Sequence, residues 1–130
     1  MRILLDTHAL LWFYLGDPRL SRQARTAIED PVNTKLVSPA SYWELAIKIS
    51  LGKYVLTESY DEFIQHAIFD NGFSILPIEP RHTSYVASLP FLSSHKDPFD
   101  RLLVAQSNID AVPIVSDDEV LDQYSITRLW

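Results

Sequence analysis

The stretch Met1-Arg2-Ile3-Leu4-Leu5-Asp6-Thr7 decides the fold, because a continuous apolar run stops abruptly on a carboxylate. Ile3, Leu4 and Leu5 do not alternate with polar residues, which is the pattern of a central parallel strand covered on both faces. Asp6 then stands at the carboxyl end of that strand, where open α/β sheets receive their ligands. Asp6 or Thr7 equally suits the N-cap of a helix through Ala9, Leu10, Leu11 and Trp12, so this stretch alone leaves a capping and a chemical role open.

Working outward, Thr7 to Leu15 is apolar nearly all round and predicts a deeply placed helix that ends at Gly16-Asp17-Pro18. Ser21 caps a second helix reaching about Asp30, and Pro31 breaks it. Lys35 to Ser38 predicts a strand, after which Ser38 caps a third helix opened by Pro39. In that helix Glu44 and Lys48 form an i,i+4 pair, and Gly52 marks its end. Ser59-Tyr60-Asp61-Glu62 has the form of a capping box for a helix stopping at Asn71-Gly72. Phe73 to Leu76 predicts a third strand, Pro80 opens a short helix, and Pro90 to Lys96 is a loop. Pro98 opens a helix carrying Leu102, Leu103, Ala105 and Ile109. Pro113 to Ser116 predicts a fourth strand, followed by a helical turn through Val120 and Leu121. Strands alternating with helices predict a single α/β/α domain over residues 1–130, with a central, mainly parallel sheet and helices on both faces.

Composition narrows the function. A chain of 130 residues without cysteine fits one domain with neither a disulfide framework nor a thiolate metal site. With no stretch reading as a signal peptide and no apolar run of bilayer length, a soluble cytoplasmic protein is expected, without membrane contact. Seventeen acidic and eleven basic residues, net charge −6, argue against a protein that holds nucleic acid by a bulk positive surface. They do not argue against a nuclease, since an acid cluster gathering divalent metal contributes to the same imbalance. The three glycines all fall at helix ends, so no phosphate-cradling loop is present.

The acids recur at strand ends and in first helical turns: Asp6, Glu44, Asp97 with Asp100, and Asp117-Asp118. In a parallel sheet these positions share one edge. Each also has a structural reading: Asp97 and Asp118 as caps, Asp100 as an anion favoured by the helix dipole, Glu44 as the partner of Lys48.

Leu4 to Thr7, Ser38 to Lys48, His95 to Ala105 and Val115 to Asp118 together resemble the PIN domain, and more narrowly the VapC toxins of toxin–antitoxin pairs. The motifs cover nearly the whole chain in the family's order. The resemblance implies a metal-dependent ribonuclease whose site acids are Asp6, Glu44, Asp100 and Asp118, with Ser116 and Asp118 rather than Asp117 matching the last motif. Asp97, Thr7 and Ser116 are supporting positions. Hard oxygen donors without a recognisable His or Cys ligand spacing suit Mg2+ or Mn2+ rather than zinc. Asp6 and Asp100 are expected to hold the ion most directly, with Glu44 and Asp118 completing the site. Lys48, Lys96 and Arg101 are expected to meet RNA at the rim. A cognate antitoxin is the implied partner, with an arginine reaching the acids and Trp43 and Tyr54 walling its groove; a homodimer is a further expectation. Two other readings remain: a non-catalytic PIN-like module, and a phosphoacceptor signalling domain. The second lacks both the lone aspartate after a central strand and the late lysine that such chemistry needs.

Overall fold

The computed structural model describes residues 1–92 and 95–130. Among them, five strands form one sheet: β1 (Arg2–Leu5), β2 (Thr34–Val37), β3 (Ser74–Ile75), β4 (Ile114–Val115) and β5 (Arg128–Leu129). All neighbours are parallel, in the order β3-β2-β1-β4-β5. β1 is central because its side chains are apolar on both sides. Ile3 and Leu5 enter a core with Leu10, Ile28, Phe63 and Ile68, while Leu4 enters a second core with Leu36, Leu103 and Val104. Truncating Leu4 to alanine removes a fully buried side chain, a change that typically costs about 2–5 kcal/mol.

The helices are α1 (Thr7–Leu15), α2 (Arg22–Glu29), α3 (Pro39–Ser50), α4 (Tyr60–Ile64), α5 (Pro80–Ser88) and α6 (Pro98–Asp110). Residues of α1, α2 and α4 build the first core, those of α6 and the start of α3 the second, so the sheet is covered on both faces as expected. Helix starts follow their caps: Ser21 Oγ accepts from Ala24 N–H and Ser38 Oγ from Ala40 N–H. At the end of α3, Gly52 takes φ 70°, letting its N–H reach Ile49 O and the next N–H reach Lys48 O.

Three elements differ from the sequence expectation. The helix starting at Tyr60 widens into a π turn over Gln65–Phe69, in which Ala67 and Ile68, adjacent in sequence, are both fully buried. Its capping box closes only halfway. Ser59 Oγ accepts from Glu62 N–H but donates to Glu62 Oε1, which therefore does not reach back to the backbone. The chain also ends in a fifth strand, too short for any alternation to register and held by Arg128, which donates to Asp122 and to Ser116 O. Within the expected loop Pro90 to Lys96, residues 93–94 lie outside the described residues, and Leu92 and His95 form an isolated antiparallel bridge. Among the described residues no helix is long and apolar enough to cross a membrane.

Candidate metal centre

From β1 the chain proceeds to β2 and β3 on one side, then returns to place β4 on the other. Connections leave the carboxyl ends of β1 and β4 in opposite directions, opening a crevice of the kind that binds ligands in parallel α/β sheets. Asp6 follows β1, Ser116 to Asp118 follow β4, the second turn of α3 brings Glu44 and the N-terminus of α6 brings Asp97 and Asp100 to the same edge. The result is a cleft of about 240 Å³ lined by Asp6, Thr7, His8, Glu44, Lys48, Asp97, Asp100 and Asp118. All four acids expected at the site converge there, whereas Asp117 does not line it.

Most of these acids also do structural work. Asp6 Oδ1 accepts from Ala9 N–H at 2.7 Å and caps α1. Asp97 Oδ1 accepts from both Phe99 N–H and Asp100 N–H, capping α6, and Asp118 Oδ1 accepts from Val120 N–H. Capping and site membership are therefore compatible: a residue at a strand-to-helix junction bonds the first turn with one oxygen and keeps a second.

The cleft opposes ionisation of two of its acids, Asp6 and Asp100. Asp6 is only 8% exposed, and burial pushes its carboxyl up to about 7. The Ser116 hydroxyl and the Ala9 N–H oppose that rise, while the charges of Asp117 and Asp100 add to it. Asp100 is raised as well, first by burial, with the Asp97 and Asp118 charges adding and His95 opposing. Glu44 has two polar partners: Thr7 Oγ1 donates to its Oε1 at 2.6 Å and Lys48 Nζ lies 3.2 Å from its Oε2. Ser116 is fully buried and accepts from Asp118 N–H, so it braces the last acid as well as Asp6.

His95 belongs to this centre, although sequence spacing assigns it no ligand partner. Its Nε2 lies 3.1 Å from Asp100 Oδ2 and its Nδ1 2.7 Å from Tyr124 Oη. His95, Asp100 and Asp118 each offer a ligand atom within 4.8 Å of the others. The available signal was the run His95-Lys96-Asp97-Pro98-Phe99-Asp100, in which a proline-started helix folds the histidine back over the first-turn aspartate. Tyr124, which fixes the ring, is distant in sequence.

The expected RNA-facing cations divide. Lys48 lines the cleft. Lys96 is exposed, outside the cleft lining, with its ammonium 6.0 Å from the Phe91 ring centroid. Arg101 is corrected: at 4% exposure it lies inside the protein, donating to Leu89 O and Pro90 O and stacking 4.2 Å from the Phe91 ring centroid, so it anchors the segment before α6 and is unavailable to RNA. Trp43 and Tyr54 do not share a wall. Trp43 is exposed and packs edge-on against Phe99, whereas Tyr54 faces a separate pocket beside His8.

Fold and cleft together define a parallel α/β domain with a carboxylate site at its switch point. The chain belongs to the PIN domain family, whose model matches residues 3–126. Comparison with curated proteins finds no match. Among solved structures, that of VapBC2 from Rickettsia felis bound to a DNA fragment from their promoter contains a chain similar at TM-score 0.67 and 15% identity, covering 98% of this chain and 97% of that one. The structure of FitAB bound to an IR36 DNA fragment contains another, at TM-score 0.64 and 14% identity, covering 97% and 92%. At such identities the likeness is one of fold.

Proposed function

We propose that this PIN domain is a divalent-metal-dependent endoribonuclease and the toxin of a toxin–antitoxin pair. The observation that carries the reading is the convergence of Asp6, Glu44, Asp100 and Asp118 in one cleft, where burial and neighbouring charge oppose ionisation of Asp6 and Asp100. A cluster of hard anionic oxygens that resists charging fits a small divalent cation, which relieves the repulsion. Asp6 and Asp100 are the residues to hold it, with Asp118 and Glu44 completing the set.

Bound Mg2+ or Mn2+ supplies charge stabilisation at the phosphodiester and acidifies a water for in-line attack. The protein's own groups do the positioning. Thr7 and Lys48 fix Glu44 in one rotamer, Ser116 braces Asp6 and Asp118, and the His95–Tyr124 pair holds Asp100. Lys48, and more remotely Lys96, supply positive charge for the RNA backbone. The resemblance to VapC toxins, supported by the fold likeness to chains of VapBC2 and FitAB, adds an antitoxin whose arginine enters the acid cleft, since its planar donor fork matches paired carboxylates.

Incubating the purified chain with mixed RNAs in Mg2+, Mn2+ or chelator tests the first half. Cleavage only with metal, and its loss in Asp100→Asn, is expected; metal-independent cleavage or none would refute it. Growth arrest on expression of the chain alone, reversed by the neighbouring gene's product, tests the second.

A further inference from the structure

A second pocket adjoins the acid cleft and shares Thr7, His8 and Lys48 with it. Its volume is about 150 Å³, and its lining includes Leu11, Trp12 and Leu45 from the helices and Tyr54 from the loop after α3. No carboxylate lines it. Trp12 is the organising ring: His8 stacks on it at 5.2 Å with 12° between planes, and the Arg19 guanidinium lies 4.8 Å from its centroid. Asp17 orients that guanidinium through Nε and Nη2, leaving Nη1 without a partner among the described residues.

An aromatic pocket with apolar walls and no carboxylate in its lining, whose two cations Arg19 and Lys48 pair with Asp17 and Glu44 outside it, next to a carboxylate cleft is the complement of an unpaired nucleobase between its phosphates. Every base has a face to stack, and its flanking phosphates need positive charge. Resting on the nuclease reading above, we propose that this pocket seats one unpaired base of single-stranded RNA next to the scissile phosphate. The His8–Trp12 stack and Tyr54 contact the base, and Arg19 and Lys48 contact the phosphates on either side. RNA duplexes are excluded, because a stacked and paired base cannot enter. The pocket therefore sets which base flanks the cut.

The test is a binding cycle that needs no cleavage. Affinity of the full chain for a fluorescein-labelled single-stranded RNA is measured in Ca2+ by anisotropy. A series of RNAs carrying one abasic position is compared in the wild type and in Tyr54→Ala, with Arg19→Ala as a second surface variant. Tyr54→Ala should weaken binding of intact RNA about tenfold. One abasic position should weaken wild-type binding by a similar factor, and the two losses should not add. Arg19→Ala should weaken binding and reduce its salt dependence. Additive losses, or RNA affinity indifferent to Tyr54 and to every abasic position, would overturn the proposal. So would a result in which Tyr54→Ala leaves RNA binding intact and releases only the antitoxin, which would make the pocket a protein-docking site. The two readings fail separately: base-coupled binding without Mg2+- or Mn2+-dependent cleavage sinks the nuclease and keeps the pocket, and cleavage without coupling does the reverse.

Discussion

Helix α6 carries an aspartate at each end, and the two behave in opposite ways. Asp100 lies in the first turn, where the helix dipole favours an anion, yet its carboxyl is raised above the usual range. Asp110 lies in the last turn, where the dipole disfavours one, yet its carboxyl is lowered. The dipole is worth about 2 kcal/mol at most in partly buried positions, and local partners decide the matter. At Asp110 burial opposes ionisation but is outweighed by fully buried His82, whose Nε2 lies 2.6 Å from Oδ2, and by Arg81, whose Nη2 lies 2.8 Å from Oδ1. His82 Nδ1 accepts from Glu79 N–H, so its Nε2 carries the proton given to Asp110. Asp100 has only His95 to set against burial and the charges of Asp97 and Asp118. One end of the helix is a finished clamp joining α5 to α6, whereas the other is held short of positive charge at the site where a cation is proposed to bind.

The largest effect that sharpens this contrast is catalytic. Asp6→Asn or Asp100→Asn should reduce metal-dependent RNA cleavage by about a hundredfold or more while circular dichroism stays unchanged, because each removes, at nearly constant volume, an anion proposed to hold the metal. Asp110→Asn should leave the cleavage rate alone. Equal losses at both ends of α6 would erase the distinction.

Stability should respond the other way. Asp110→Ala strips the charge-assisted partner from buried His82 and should lower stability by about 2–3 kcal/mol, read from urea denaturation. Asp100→Asn, which relieves repulsion, should raise the melting temperature of the metal-free protein.

The two ends also predict opposite dependences on pH. Asp6 shares the raised state of Asp100. Its contribution to stability is full below about pH 4, where it is protonated in both states, and is lost as pH rises through about 7, by roughly 2–4 kcal/mol. Asp110, lowered, contributes above the unfolded-state value and loses that contribution only as acid protonates it in the folded state. Melting curves of metal-free Asp6→Asn should therefore depend less on pH than wild type between about pH 4 and 7, and those of Asp110→Asn less only under acid. The smallest effect belongs to Asp97→Asn, within a few tenths of a kcal/mol in stability, because asparagine caps helices about as well as aspartate. A cleavage loss matching that of Asp100→Asn would give Asp97 a larger part than capping.

Much of this organisation is legible in local sequence, since strands, caps and proline-started helices are short-range signals. Ile3 to Asp6 announces both the central strand and its functional edge, and Ser38-Pro39 and Asp97-Pro98 announce the helices that deliver Glu44 and Asp100. What escapes depends on partners remote in the chain. Arg101 reads as a rim cation because nothing nearby reveals the carbonyls of Leu89 and Pro90 that bury it. His95 reads as a lone histidine until Tyr124 is brought beside it, and Asp110 as an ordinary helix-end acid until α5 supplies Arg81 and His82. β5 pairs over two residues only, too few for periodicity to mark.

The measurement that bears most directly on the acid cleft as a metal centre is calorimetric titration of the metal-free protein with Mn2+ at pH 6, 7 and 8. Binding should strengthen about tenfold per pH unit up to about 7 and then level, with proton release at the lower values, and should be lost in Asp6→Asn but kept in Asp110→Asn. Affinity that ignores pH, or that survives in Asp6→Asn, would place the metal elsewhere and contradict the account.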